Sequence, residues 1–341
     1  MRQILLTEGD LLDKDGNLCQ AGYAFGLVKK YSRDAVKASK MRIKEWDYYY
    51  VGNQEYGVAL TVADNSYMSM ASASLMDFKN KKFVTDSEIK LFSNGKLRLP
   101  SSSLAGDVIY ESKRVKIKFV NFGDRRQLVC SFDKWGAKKS RFACRFELTD
   151  MPSQSMVIAT PFDKKAHFYY NQKINCMTAN GYFSIDGQAT NMSGQAVLDW
   201  GRGVWTYKNT WYWSSLSCDA QGRKFGFNLG YGFGCNDAAT ENMLFVDGKA
   251  HKLNAVVFNI PKTADGKDDF LSEWTVTSDD QRLNLRFEPI LDRNDKISLG
   301  VLATDQHQVF GRFFGDATLD NGETVTLNGQ IGFAEKVFNK W

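Results

Sequence analysis

Between Ala196 and Ser214 the chain sets Trp200, Trp205, Trp211 and Trp213 and two tyrosines, Tyr207 and Tyr212, beside one acid, Asp199, and two cations, Arg202 and Lys208. Aromatic walls holding a few charges suit a pocket for a bulky, partly apolar molecule. An acid among them can give or take a proton, or polarise a bond, where water is scarce. The same rings would also fill the core of a barrel, so space-filling stays open for any single one of them. Asp199 follows the apolar run Ala196-Val-Leu198, and a buried acid needs a partner. Arg202, Lys173 and Lys208 are available, and an ion pair closing a domain junction accounts for Asp199 and Arg202 as well as catalysis does.

Upstream, His167, Tyr169, Asn171, Lys173 and Asn175 alternate with Phe168, Tyr170, Gln172 and Ile174. In a strand the first set shares one face. A solvated surface would give the same pattern. Downstream, Asn228, Tyr231 and Phe233 stand in the glycine-rich Gly226-Phe-Asn-Leu-Gly-Tyr-Gly-Phe-Gly234, where glycines permit close backbone approach rather than a phosphate loop. Glu241 is a candidate second carboxylate opposite Asp199, as glycoside hydrolysis requires. A solvated loop acid is the plainer reading. His251 and His307 read as surface residues.

The elements that position these groups are strands. Proline is scarce at 5, glycine plentiful at 28 and aromatics make up 13% of the 341 residues, a balance that favours antiparallel sheet and tight turns. Tyr56–Ala63, Val115–Val120 and Phe142–Leu148 have strand composition. Asn94-Gly95, Asp247-Gly248, Asp265-Gly266 and Asn321-Gly322 punctuate the runs as hairpin turns. One short N-terminal helix is expected over Tyr31–Glu45, capped by Ser32, with Ala35, Val36, Ala38 and Met41 as its apolar face.

Trp46-Asp-Tyr-Tyr-Tyr50, Gly57-Val-Ala-Leu-Thr-Val62 and Met76-Asp-Phe-Lys-Asn-Lys81 recur in order as Trp211-Tyr-Trp213, Gly226-Phe-Asn-Leu229 and Phe245-Val-Asp-Gly-Lys249. Val115-Lys-Ile-Lys-Phe119 matches Leu283-Asn-Leu-Arg-Phe287. The expectation is two copies of one β module, each closing on itself to hide its edges. The domains would be 1–175 and 176–341. The Trp-rich segment then lies at their seam.

A formal charge of +5, dispersed along the chain, argues against nucleic acid as partner. No apolar run approaches membrane-spanning length, and Met1–Asp10 has no apolar core of signal-peptide type. The six cysteines are scattered without CxxC pairs and only three histidines exist, so neither metal nor cofactor is expected. Free thiols suit a reducing cytoplasm. Oligomeric state is left open.

Ala166-His-Phe-Tyr-Tyr170, Gly181-Tyr-Phe-Ser-Ile-Asp-Gly187, Ser193-Gly-Gln-Ala-Val-Leu-Asp199, Trp211-Tyr-Trp213 and Asp219-Ala-Gln-Gly222 resemble a pattern of the double-lipocalin proteins. These include carotenoid hydratases, AttH-like proteins and, more distantly, tocopherol cyclases. Phe168-Tyr-Tyr-Asn-Gln-Lys-Ile-Asn175, Asp199-Trp-Gly-Arg-Gly203, Tyr207-Lys208 and Glu241-Asn242 before Asp247-Gly-Lys249 resemble, over the full length, a bacterial family known as a domain of unknown function, DUF2804. The resemblance implies an all-β fold of two tandem lipocalin-like, calycin-type antiparallel barrels and a lipophilic small-molecule ligand. It implies for Asp199 the role of an acid that protonates an alkene or polarises a leaving group, with Lys173 and Arg202 as electrostatic partners. His167, Tyr169, Asn171, Trp200, Trp205, Tyr207, Lys208, Trp211, Trp213, Asn228 and Glu241 would line the ligand. The hydratases place His, Asn or Glu beside Trp after this acid, whereas Gly201-Arg202-Gly203 follows Trp200 here. Besides an enzyme of hydration, cyclisation or hydrolysis, a non-catalytic carrier and a carbohydrate-active protein remain the alternatives.

Overall fold

A computed structural model describes residues 2–299 and 302–340. Strict alternation appears where a strand has water on one side. In Val115–Asn121, Val115, Ile117 and Phe119 turn inward and Lys116 and Lys118 outward. The central strands lose that alternation. Ile43–Gly52 and the stretch from Gln195 to Val204 are buried almost throughout, because both of their faces meet protein.

Two antiparallel sheets result. The first runs, edge to edge, through Lys82–Leu91, Met68–Asp77, Tyr56–Asp64, Ile43–Gly52, Gln188–Val204, Phe168–Ile185, Ser140–Thr149, Arg126–Trp135, Val115–Asn121 and Val108–Glu111. Met156–Pro161 and Gly22–Ala24 attach beside Phe168–Ile185. The second runs through Lys249–Lys252, Met243–Val246, Arg223–Tyr231, Lys208–Ala220, Thr324–Lys340, Leu302–Thr318, Leu283–Leu299, Trp274–Ser278 and Val256–Asn259. Each is a meander whose first long strand returns to pair with its last, so each curls into a half-barrel around its own core. Where the first sheet's edge strands face each other, side chains clasp them: Arg114 bridges to Asp86 (3.3 Å), Glu88 (3.5 Å) and the Ser87 carbonyl (2.8 Å). Tight turns do the joining. Asp186-Gly187 (φ 51° and 86°) and Asp247-Gly248 (48° and 79°) both adopt the left-handed pair a two-residue hairpin demands.

The repeat has a topological counterpart. Trp46–Tyr50 and Trp211–Trp213 lie in the first strand of each meander, and Gly57–Val62 and Gly226–Leu229 in the second. The match of Val115–Phe119 with Leu283–Phe287 falls one strand out of step, since alternating composition recurs in any half-exposed strand. The change of sheet comes after Val204 and before Lys208 rather than at residue 175. At 175 and 176 the Phe168–Ile185 strand bulges, with Cys176 at φ 65°. The bulge turns Asn175 toward the other sheet, where its Nδ2 donates to Ser215 Oγ (2.8 Å) and the Phe227 carbonyl (3.1 Å).

The helix over Tyr31–Glu45 does not form. Only 3-10 turns occur there, at Arg33–Ala35 and Lys40–Arg42, and the Ser32 side chain caps nothing. Half of the expected apolar face is alanine, too small a stripe to hold a helix, while Ile43 onward enters the central strand. Glu45 is then claimed by Tyr31 (2.8 Å) and Arg33 (2.5 Å) in place of helical neighbours. Among the described residues no helix is long and apolar enough to cross a membrane.

Two further apolar clusters lie between the sheets. Gly201 is essential to one wall of that interface. It pairs across the strands with Trp46, whose ring occupies the space a Cβ at 201 would take. Gly201→Ala is expected to cost about 1–3 kcal/mol by displacing the ring. Urea denaturation, with Trp emission as a local probe, reads both effects.

Candidate functional site

Alternation builds the site. In Phe168–Ile185, Tyr170 and Ile174 point into the first core, whereas Tyr169 and Lys173 point to the space between the sheets. Lys173 stands directly across from Asp199 in the neighbouring strand, so the two pair at 2.8 Å (Nζ to Oδ2), both nearly excluded from water. Asn171, one step along the same face, donates from Nδ2 to Asp199 Oδ1 at 2.6 Å. Both carboxylate oxygens are therefore engaged.

This pair opens on a cavity of about 580 Å³ between the outer faces of the two sheets. Trp46, Tyr169, Trp205, Trp211, Trp213 and Phe233 form much of its wall. Their rings meet mostly edge to face: Trp46 and Trp205 at 5.4 Å, Trp205 and Phe233 at 4.9 Å, Trp211 and Phe233 at 5.2 Å between centroids. Lys173 Nζ lies 3.8 Å from the Trp213 ring centroid. The exposed Asn294 and Asp295 contribute to its rim.

Two more buried acids line the same space. Glu241 accepts from Asn228 Nδ2 at 3.3 Å, and Asn228 Oδ1 takes the Trp213 indole N–H at 2.7 Å. Burial pushes the Glu241 carboxyl upward, against the pull of Lys173. Glu335 accepts from Trp211 Nε1 (3.0 Å) and Gln308 Nε2 (3.0 Å). Its carboxyl is pushed up to about 7, chiefly by burial. Arg293 reaches from the second sheet to Ser74 of the first (2.9 Å) while holding Gln308 (2.6 Å), tying the cavity's two walls together.

Of the residues singled out by sequence, Lys173, Asp199, Tyr169, Trp205, Trp211, Trp213 and Glu241 line this cavity. Asn171 and Asn228 stand behind it as supports. Trp200 instead points into the first core, edge-on to Tyr170 at 5.7 Å. His167 sits at a separate, smaller hollow with Asn17 and Phe162, its Nδ1 against the Lys165 carbonyl at 2.8 Å. Tyr207, in the connection between sheets, and Lys208, the first residue of the strand that follows, are both exposed. Arg202 does not pair with Asp199. It faces the opposite side of its strand, wholly buried, and binds Asp47 at 3.0 Å. The reason is the pleat: three residues apart in one strand, positions 199 and 202 point to opposite faces. Sequence reasoning passed over Glu335, Gln308, Arg293, Trp46, Tyr48 and Phe83. For Glu335 a signal existed, since it is in phase with the inward Phe333 and Val337 of its strand.

The family model described as Domain of unknown function (DUF2804) matches residues 2–341. The chain belongs to the DUF2804 family. No curated protein matches it by sequence. Among solved structures, this DUF2804 chain is similar to a putative AttH from Nitrosomonas europaea, with a TM-score of 0.57 at 15% identity, covering 90% of this chain and 96% of that one. CghA with Sch210972 aligns with a TM-score of 0.53 at 10% identity over 98% and 97% of the two chains. Kievitone hydratase from Nectria haematococca aligns with a TM-score of 0.51 at 10% identity over 87% and 89%. At such identities the likeness is one of fold: the DUF2804 chain has the double-lipocalin architecture of AttH, with no helix among the described residues beyond short 3-10 turns.

Proposed function

We propose that this DUF2804 protein binds an amphipathic small molecule, lipid-like or isoprenoid-like, between its two half-barrels and performs acid–base chemistry on it, such as hydration, cyclisation or hydrolysis. The observation that carries this reading is the Lys173–Asp199 pair, buried yet open to an aromatic-walled cavity. A charged pair is costly to bury for stability alone. Placed at the end of an apolar pocket, it orients a polar group of the ligand while the rings hold the rest. The fold agrees, since one protein of like architecture is a hydratase and another holds a small organic molecule.

A carrier without chemistry is the second reading. It is favoured by one feature: both Asp199 oxygens already accept, from Asn171 and Lys173.

The test is retention and conversion. The purified protein is incubated with a total lipid extract, stripped of unbound material and analysed by native mass spectrometry, with recovered ligands compared with the input. A retained amphiphile that returns chemically altered is the expected result, with Asp199→Asn still retaining it but returning it unchanged. Conversion undiminished in Asp199→Asn would remove Asp199 from the chemistry. Return of an unaltered ligand by the native protein establishes the carrier reading, and retention of nothing defeats both.

A further inference from the structure

The cavity is unbalanced in charge. Asp199 has an ion-pair partner in Lys173, but among the described residues no cation lies within 4.0 Å of the carboxylates of Glu241 or Glu335. Both acids are buried, and their hydrogen bonds come from neutral groups: Asn228 for the first, Trp211 and Gln308 for the second. Lys173 acts on both carboxyls from a distance but is committed to Asp199, and Arg293, on the Glu335 side, donates from its two terminal nitrogens to Ser74 and Gln308. A buried carboxyl with no cation in contact is costly to ionise and tends to keep its proton, and the arrival of a cation favours the charged form.

The walls suit the same guest. Faces of Trp, Tyr and Phe attract cations through their quadrupoles, most strongly when water is excluded. The protein already shows this with its own ammonium, Lys173 Nζ over the Trp213 ring at 3.8 Å. Three polar atoms of the wall are also buried without a hydrogen-bond partner: the Tyr48 hydroxyl, Trp205 Nε1 and Arg293 Nε. The hydroxyl has lone pairs to offer, and the indole N–H a proton for an oxygen on the guest. In this volume such buried groups are satisfied by a ligand that brings charge and polarity with it.

We infer that the amphiphile this cavity takes is cationic, carrying an ammonium group that sits among Glu241, Glu335 and the Trp205–Trp211 rings. The inference rests on the amphiphile-binding reading above and narrows its chemical class. The ammonium supplies the missing counter-charge, and its hydrocarbon portion runs along the aromatic wall toward the rim.

Three probes of equal chain length separate the possibilities: decyltrimethylammonium, decanol and decanoate, each below its micelle concentration. Titration calorimetry on the native protein is the readout, with Trp emission to place binding in the cavity. Decyltrimethylammonium is expected to bind one per chain and at least about tenfold more tightly than decanol, with decanoate the weakest. Glu335→Gln is expected to bring the ammonium-to-decanol ratio down toward one. Equal or tighter binding of decanol, or preference for decanoate, overturns the cationic class while leaving an amphiphile site in place. Binding of none of the three overturns both.

Discussion

Replacing Arg202 by methionine is expected to cost about 3–5 kcal/mol, enough to leave much of the protein unfolded. The guanidinium has no exposed surface and spends every nitrogen: Nη1 on the Trp46 and Gly201 carbonyls (2.7 and 2.8 Å), Nη2 on Asp47 (3.0 Å) and the Pro100 carbonyl (2.7 Å), Nε on Pro100 again (3.3 Å). It also lies over the Trp200 ring at 4.4 Å. Methionine fills the volume but strands Asp47, whose carboxyl burial already pushes upward, and leaves the carbonyls unpaired. Lysine keeps the charge without the planar fork and is expected to recover only part of the loss. Denaturant unfolding of both variants provides the measure. Ligand retention, normalised to folded protein, should be unchanged. Native stability with selective loss of retention in Arg202→Lys would return this residue to the site.

Glu335→Gln is expected to change how stability depends on pH. The side chain is buried, and its carboxyl is held at about 7 against an ordinary 4.5. Between those values the unfolded chain has released its proton while the folded one keeps it. Stability from this group is therefore present at low pH and falls as pH rises from 4.5 through 7. At roughly 1.4 kcal/mol per unit the loss by pH 8 is on the order of 2–3 kcal/mol. Glutamine has no proton to lose, so the variant should gain on the native protein by that amount between pH 5 and pH 8. Lys173, Arg293, Asp199, Glu241, Tyr48 and Tyr169 face or influence this carboxyl and are common to both proteins. Lys44 and Lys252, pulled down to about 7 by burial, act in the opposite sense above neutrality and cancel in the difference. Urea midpoints at the two pH values decide it. Equal pH dependence in both proteins would mean that Glu335 is ionised throughout this range.

What the sequence disclosed follows from the range of the forces involved. Strand alternation and turn chemistry are local, so Val115–Asn121 and the Asp247-Gly248 hairpin could be read directly. Trp205, Trp211 and Trp213 announced a cavity wall because so many rings within nine residues exceed what one strand needs. The Lys173–Asp199 pair was visible as two candidates, but the register that joins them depends on the bulge at residues 175 and 176, which shifts by one residue the pairing set by the Asp186-Gly187 hairpin. Arg202 failed because its partner Asp47 lies 155 residues away, and only sheet pairing brings them together. Glu241 looked like a solvated loop acid since loop sequence carries no mark of what packs over it. Glu335 and Arg293 belong to the far sheet, and no local pattern says which outward face of one half-barrel meets the other.

The return of each meander's last strand to its first sets a timetable. Ile43–Gly52 is finished early, yet the strand that covers its open side, Gln188–Val204, pairs Gln195 with Gly52. At ordinary rates of synthesis roughly 140 further residues take about 7–30 s to emerge. For that interval Tyr48, Tyr49, Tyr50 and Val51 present an uncovered aromatic edge with free backbone donors, the kind of surface that pairs with the wrong strand. The second meander waits likewise for its final strand, Thr324–Lys340, before Lys208–Ala220 is covered. A nascent chain of this design spends much of its synthesis with the aromatic wall between its two sheets unfinished, so the time taken to reach the last strand is the time for which that wall is open to mispairing.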